Sequence, residues 1–365
     1  MNTILIWLLW FLGAQAALTL VQFLFRRRAA KFFPRLLVIL LKTALAVGFA
    51  FLVMAGPVFL RPAQFALTAL YAALLPDAAA DLLYSLWRGL RRGERHFGAY
   101  RLFSFALGVL FFAYGTVNMQ IVTPETRVYT APGLQQAHKL VFVADLHAGS
   151  AQLPSVTADT IRKIGAEKPD FVILGGDITD DYTPKADMEE VYRLFGALGV
   201  PVYYIDGNHE VVQHGQYLPS GLPYTQAELA AAMEESGIIV LRDDYAEIGP
   251  DLLLLGREDA ASDQRADIAA PGASEAGRFL LVADHQPGSA AEHAALGAQL
   301  QLSGHTHAGQ FVPLRWVYSI LVDAYGDYDY DGMTLHVSAG AAGWRIPLRT
   351  EAHCHYDVIT LLPEG

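Results

Sequence analysis

The sequence predicts an α/β domain of two packed β-sheets flanked by helices, preceded by a four-helix transmembrane region. Three observations predict it. Four apolar stretches of membrane-spanning length fill the first 122 residues, and the charge changes sign there. Beyond that point short apolar runs alternate with amphipathic helical patterns, and then give way to a series of runs with few helices between them. Of the 365 residues 53% are hydrophobic and 17% charged, which excludes a disordered chain. A single cysteine, Cys354, excludes an intrachain disulfide framework. Of 26 basic and 37 acidic residues, 12 and 3 lie in residues 1–122, leaving 14 and 34 for the remainder. A net charge of +9 is thus followed by one of −20. A domain that acidic repels a polyanion, so no nucleic-acid partner is expected. The expected organisation is a transmembrane region over 1–122, a Pro- and Thr-containing linker over 123–137, and a globular domain over 138–365.

The four spans are expected at Thr3–Phe25, Leu36–Leu60, Ala63–Trp87 and Phe97–Met119. Each exceeds the roughly 20 helical residues that cross a hydrocarbon core of about 30 Å. Met1-Asn2-Thr3 has no basic side chain and the first run is too long for a signal-peptide core, so a cleavable signal is not expected. Arg26, Arg27, Arg28, Lys31 and Arg35 are assigned to the first link, and Arg88, Arg91, Arg92, Arg95 and Arg101 to the third; the second carries only Arg61. The positive-inside rule puts both arginine-rich links in the cytoplasm and everything after about residue 122 on the outer, periplasmic or extracellular side of a cell (inner) membrane. Lys42, Asp77 and Asp81 fall inside apolar stretches, where an unpaired charge is costly. Lys42 and Asp81 sit at matched depths, roughly 9 Å below the cytoplasmic surface at 1.5 Å per residue, and are expected to face each other. A structural pair is the leading reading. A proton or solute pathway is the other, with Asp77 as its support.

In the acidic part, strands are expected at Leu140–Ala144, Phe171–Leu174, Val202–Ile205, Ile238–Leu241, Asp251–Leu255, Phe279–Val282, Leu300–Leu302, Met333–Val337 and Asp357–Leu361, with helices at Ser155–Ala166, Lys185–Leu198 and Thr225–Ser236. So many late strands with few helices favour two sheets over one doubly wound sheet.

Chemistry-bearing residues follow the strands. The first ends in Asp145-Leu146-His147, the second in Gly176-Asp177 with Asp180 beyond, and the third in Asp206-Gly207-Asn208-His209-Glu210. The Phe279 strand ends in Asp284-His285, and the next in Gly304-His305-Thr306-His307. One such Asp or His is a common turn former or structural residue; five strand ends in series are not explained by turns. Carboxylate with imidazole suits Mn, Fe or Zn, and no thiolate cluster suggests structural zinc. The Asp145-x-His147 and His305-x-His307 spacings would put both side chains on one side of an extended strand. Glycines at 176, 207 and 304 would permit tight turns and close backbone approach.

Asp145-x-His147, Gly176-Asp177, Gly207-Asn208-His209-Glu210, His285 and Gly304-His305-x-His307 together resemble the calcineurin-like metallophosphoesterase superfamily over roughly residues 138–362, with every motif block present and in order. The Gly304–Gln310 block and the C-terminal part through Met333, Ser338, Gly340 and Pro347-Leu348-Arg349 look like its membrane-anchored bacterial branch. The resemblance implies two divalent ions (Mn, Fe or Zn): Asp145, His147 and His307 on one, Asn208, His285 and His305 on the other, and Asp177 bridging both. It implies His209 as the catalytic residue that steadies phosphoryl oxygens or protonates the leaving group, oriented by Asp206 or Glu210. The implied activity is metal-dependent hydrolysis of phosphodiester, phosphomonoester or pyrophosphate bonds.

Membrane anchoring suggests a substrate at the bilayer, such as a phospholipid, lipid pyrophosphate or lipid-linked nucleotide sugar. The alternative from another class is a membrane sensor or transporter subunit whose metal domain binds without turnover. Asp180 reads as a loop cap ahead of a role behind the ligands. Tyr325–Asp331 alternates aromatic and acidic residues and reads as an exposed turn and strand entry with Gly332 relaxing the backbone, or else as a rim of the site. Arg257, Arg345 and Arg349 are candidate phosphate contacts.

Overall fold

The computed structural model describes residues 3–32, 35–54, 61–91, 97–211, 223–268 and 277–364. The elements run in the order α1 (Thr3–Phe32), α2 (Arg35–Met54), α3 (Arg61–Arg91), α4 (Phe97–Asn118), β1 (Val122–Ala131), β2 (His138–Val143), α5 (Pro154–Ala166), β3 (Phe171–Gly175), α6 (Lys185–Gly196), β4 (Val202–Ile205), α7 (Asn208–Val211), α8 (Gln226–Glu235), β5 (Ile239–Val240), β6 (Asp244–Ile248), β7 (Leu252–Gly256), β8 (Phe279–Ala283), α9 (Ala290–Ala295), β9 (Leu300–Ser303), α10 (Leu314–Tyr318), β10 (Gly326–Tyr330), β11 (Met333–Val337) and β12 (Cys354–Pro363). They fall into two compact units. One is Met1–Asn118 with Phe311–Leu314 and Ile346–Thr350; the other is Met119–Gln310, Arg315–Arg345 and Glu351–Gly365.

In the first unit α1 to α4 are each long and apolar enough to cross a membrane. Lys42 does meet Asp81, and it also lies 2.7 Å from Asp77. Around Asp77 all four helices converge. Gln22 of α1 donates to it at 2.6 Å, Arg101 and Tyr100 of α4 each at 2.8 Å, and Ser104 of α4 donates as well. Arg101 further donates to Thr19 at 2.7 Å. Two cations and two carboxylates thus cancel inside the bundle, as an apolar medium demands. Arg101 lies within α4 and is buried in this network, so it is not the cytoplasmic link charge expected of it. The side chains of Arg26, Arg27, Arg28, Lys31, Arg61, Arg88 and Arg91, and all of Arg92 and Arg95, lie outside the described residues.

The second unit contains two six-stranded sheets, ordered β1-β12-β2-β3-β4-β5 and β10-β11-β9-β8-β7-β6. Strands β2 to β5 are parallel, as are β7, β8, β9 and β11; β12 runs antiparallel to β2, and β6 and β10 form antiparallel edges. Period-two alternation sorts the side chains. Leu140, Phe142, Ile173 and Ile205 face Leu252, Leu254, Leu281 and Leu302 between the sheets. Val141, Val143, Val172 and Leu174 face outward onto Ile161 and Ile164 of α5 and Val191 and Phe195 of α6. On the other flank Leu253, Leu255 and Val282 pack with Ala290 of α9. Helix α8 starts with a capping box, in which Thr225 Oγ1 accepts from Glu228 N and the Glu228 carboxylate accepts from Thr225 N.

Two expectations are corrected here. Val122–Ala131, which takes in the first part of the expected linker and the last residue assigned to the transmembrane region, is an edge strand paired in parallel with β12 over its whole length. An edge tolerates Pro124, because one side of the strand needs no ladder donor. The Tyr325–Asp331 stretch is mostly strand: β10 forms a hairpin with β11 closed by Asp331-Gly332. In addition Cys354 is fully buried.

Candidate metal centre

All the predicted site residues lie just beyond the carboxyl ends of parallel strands, where such sheets gather functional groups. Asp145 and His147 follow β2, Asp177 follows β3, and Asn208 and His209 open α7 after β4. The second sheet contributes His285 after β8 and His305 and His307 after β9. The strands end before the ligands begin, so the one-sided extended geometry expected for the two x-spaced pairs does not occur. Asp145, His147, Asp177, His305 and His307 all have positive φ, between 43° and 71°. Such left-handed backbone is uncommon for non-glycine residues and persists where surrounding structure over-determines it. Here the hydrogen bonds Asp145 N to Gly176 O and His147 N to Asp177 O, both 3.0 Å, clamp the first loop to the second. Glycine is required where the loops touch: a Cβ on Gly207 would stand 2.3 Å from Asp177 Oδ1, and one on Gly304 2.5 Å from Asp145 Oδ2.

Two groups of donor atoms result. Asp145, His147 and His307 offer atoms all within 4.8 Å of one another, and so do Asp177, His285 and His305. Asn208 Oδ1 is 2.8 Å from His305 Nδ1, which joins it to the second group. The oxygens and nitrogens fit divalent cations, and hydrogen-bond partners show which nitrogens are available. His285 Nδ1 donates to Gly175 O at 2.8 Å, which turns its buried Nε2 toward Asp177 Oδ2, 3.2 Å away. His147 Nδ1 faces Asp180 Oδ2 at 3.2 Å, and His307 Nδ1 faces Ala342 O at 3.3 Å. Their Nε2 atoms lie 3.4 Å apart, where the N–H of one ring can donate to the other, and an ion binding both would displace that proton.

The electrostatics carry the same strain. Burial pushes Asp145 upward. Burial opposes the charge on Asp177 too, but His285 and His209 outweigh it and hold that carboxyl well below its usual range. His305 is pushed down to about 3, first by burial and then by the neighbouring charge on His285. Burial disfavours the charged form of His285, yet Asp177 raises it well above the ordinary value.

Behind the ligands, Asp180 serves both roles considered for it. Its Oδ1 accepts from Tyr182 N at 2.8 Å and caps the loop, while its Oδ2 faces His147. The two residues expected to orient His209 have other partners. Glu210 accepts backbone N–H groups of Asp177, Thr179 and Gly207 at 2.9 to 3.0 Å, stapling two ligand loops together. Asp206 pairs with Arg242. The carboxylate near the His209 ring is Asp181, 3.6 Å from Nδ1, and Trp344 lies 5.2 Å from the ring centre. Asp181 carried a signal in sequence only as the neighbour of Asp180. Trp344 carried none. Of the three arginines, Arg345 stacks on Trp344 at 3.7 Å, Arg257 pairs with Asp243 at 3.1 Å, and Arg349 lies in the helical unit, its N–H donating to Gly115 O at 2.9 Å.

Residues 138–309 match the calcineurin-like phosphoesterase family. An uncharacterized metallophosphoesterase of Campylobacter jejuni is 30% identical over 275 residues, 71% of this chain and 70% of that protein. The chain belongs to the calcineurin-like metallophosphoesterases. It is also 27% identical to an uncharacterized metallophosphoesterase of Helicobacter pylori, over 66% of this chain and 64% of that protein. A Danio rerio protein named as a transmembrane protein with a metallophosphoesterase domain is 26% identical over 68% of this chain and 59% of its own length. Four helices of this metallophosphoesterase are likewise long and apolar enough to cross a membrane.

Proposed function

We propose that the chain is a membrane-anchored phosphoesterase that uses two divalent ions to hydrolyse phosphoester bonds. Asp145, His147 and His307 would hold one ion, Asn208, His285 and His305 the other, with Asp177 reaching both. The observation that carries this is the convergence of buried oxygen and nitrogen donor atoms from both sheets into two groups, with the His147 and His307 Nε2 atoms 3.4 Å apart. Bound there, two divalent cations would acidify a shared water and offset the charge on phosphoryl oxygens. The chain's own residues do the rest. Asp180 keeps the His147 proton on Nδ1, and Gly175 O does the same for His285. His209, 3.6 Å from Asp181 and beside Trp344, would hold a proton for the departing oxygen.

The reading extends to a substrate at the bilayer: a phospholipid or lipid pyrophosphate reached from the outer face, with a lipid-linked nucleotide sugar gaining ground only if the domain faces the cytoplasm. Anchoring by α1 to α4 and the positive-inside pattern support it. The sensor or transporter alternative drew on Lys42, Asp77 and Asp81, whose charges cancel with Arg101, as a structural network does. The test is turnover of a chromogenic phosphodiester by the purified full-length protein with Mn²⁺. Activity should vanish in Asp177→Ala and Asn208→Ala. A folded, metal-loaded protein without turnover on several metals would instead be a binding module.

A further inference from the structure

Outside α1 to α4, large apolar side chains that stand exposed are isolated in sequence, as at Ile121, Val128, Leu153 and Ile239, with one exception among the described residues. Trp316 is 66% exposed, Ile320 82%, Leu321 71% and Val322 48%. Trp316–Val322 reads Trp-Val-Tyr-Ser-Ile-Leu-Val, with no charge in seven residues, bounded by Arg315 and Asp323. A contiguous apolar patch on a surface marks an interaction site, whereas single exposed apolar residues do not. The segment just before it says what covers the patch. Phe311–Leu314 belongs to the compact unit of the four apolar helices: Tyr71 of α3 donates to Val312 O at 3.0 Å, and its ring lies 5.3 Å from that of Phe311. The chain passes from residues held by those helices straight into an uncharged, tryptophan-headed run, the composition that settles at a membrane–water boundary.

We propose that residues 316–322 form an interfacial element seated in the headgroup and upper acyl region of the bilayer. This rests on reading α1 to α4 as membrane spans. The same connection begins a few residues after His307, so the element would tie one ligand loop to the lipid surface. The test places a single environment-sensitive thiol label on the full-length protein, with Cys354 left in place because it is buried. The positions are Ile320→Cys, Leu110→Cys on the exposed face of α4, and Glu234→Cys on the surface of α8. The protein is reconstituted into phosphatidylcholine vesicles and challenged with lipid carrying a nitroxide near the headgroup, or with aqueous iodide. The expected result is blue-shifted emission at position 320 and several-fold stronger quenching by the nitroxide lipid than at 234, with iodide showing the reverse. A label at 320 that behaves like 234 while 110 senses lipid overturns the proposal alone. Shielding at 320 from both quenchers means that a protein surface covers it, and also overturns the proposal. If 110 fails to sense lipid, the membrane-span reading falls and this element falls with it.

Discussion

His147 shows how far the site depends on groups one step behind the ligands. Its Nδ1 faces Asp180, and burial, which would lower the imidazole pKa, is outweighed by Asp180, Asp177 and Asp145, so the ring is raised above its ordinary value. An ion at Nε2 must displace that proton, and the Asp180 carboxylate keeps the remaining one on Nδ1. Asp180→Asn preserves an oxygen to cap the loop but removes the charge. It should weaken metal affinity by roughly 10–100-fold, measured by metal titration, with little change in unfolding temperature. Unchanged affinity with lost stability would reduce Asp180 to its capping role. The ligand types were legible in the sequence, because Asp, Asn and His recur at strand ends for no structural reason. Their geometry was not. Five of those residues sit in left-handed backbone, which no spacing rule reveals, and Asp181 and Trp344 approach His209 only through folding.

Among the elements, the inner parallel strands were legible because burial on both faces makes them continuous apolar runs, as in Leu252–Gly256 and Phe279–Ala283. Strands β1, β6 and β10 escaped because each lies at an edge and alternates exposed with half-buried positions, filled by Thr, Glu, Asp and Tyr. One of these edges helps hold the sheets together. His336 of β11 lies between Asp327 of β10, 2.6 Å from Nδ1, and Asp357 of β12 in the other sheet, 3.1 Å from Nε2. Burial would lower its pKa, but the two carboxylates carry it up to about 9. Because the folded value exceeds the ordinary 6.5, the stabilisation is complete below about pH 6.5 and is lost as the pH rises through about 9. The unfolding temperature of the wild type should therefore fall between pH 7 and 10 relative to that of His336→Gln, corresponding to a few kcal/mol. Parallel pH curves for the two proteins would show that the ring is not charged in the fold.

At the scale of the whole molecule, a basic apolar unit is joined to an acidic catalytic domain, and the arginine-rich ends of the helices set the expected orientation. Cys354 cannot report that orientation because it is buried, but Glu234→Cys on α8 is exposed and can. An impermeant thiol reagent should label it in cells whose inner membrane is intact. Labelling only after lysis would place the domain in the cytoplasm and favour cytoplasmic nucleotide-linked lipids as substrates. The acidity of the domain fits a site that would take up positive charge, since two divalent ions return about +4 where the phosphoryl group must enter. The central claim is that seven side chains from two sheets cage a pair of cations. Elemental analysis of the purified full-length protein, after chelation and reloading with Mn²⁺, tests it most directly. The account predicts about two ions per folded chain in the wild type and fewer in Asp177→Ala. A folded wild-type protein that retains none would contradict it.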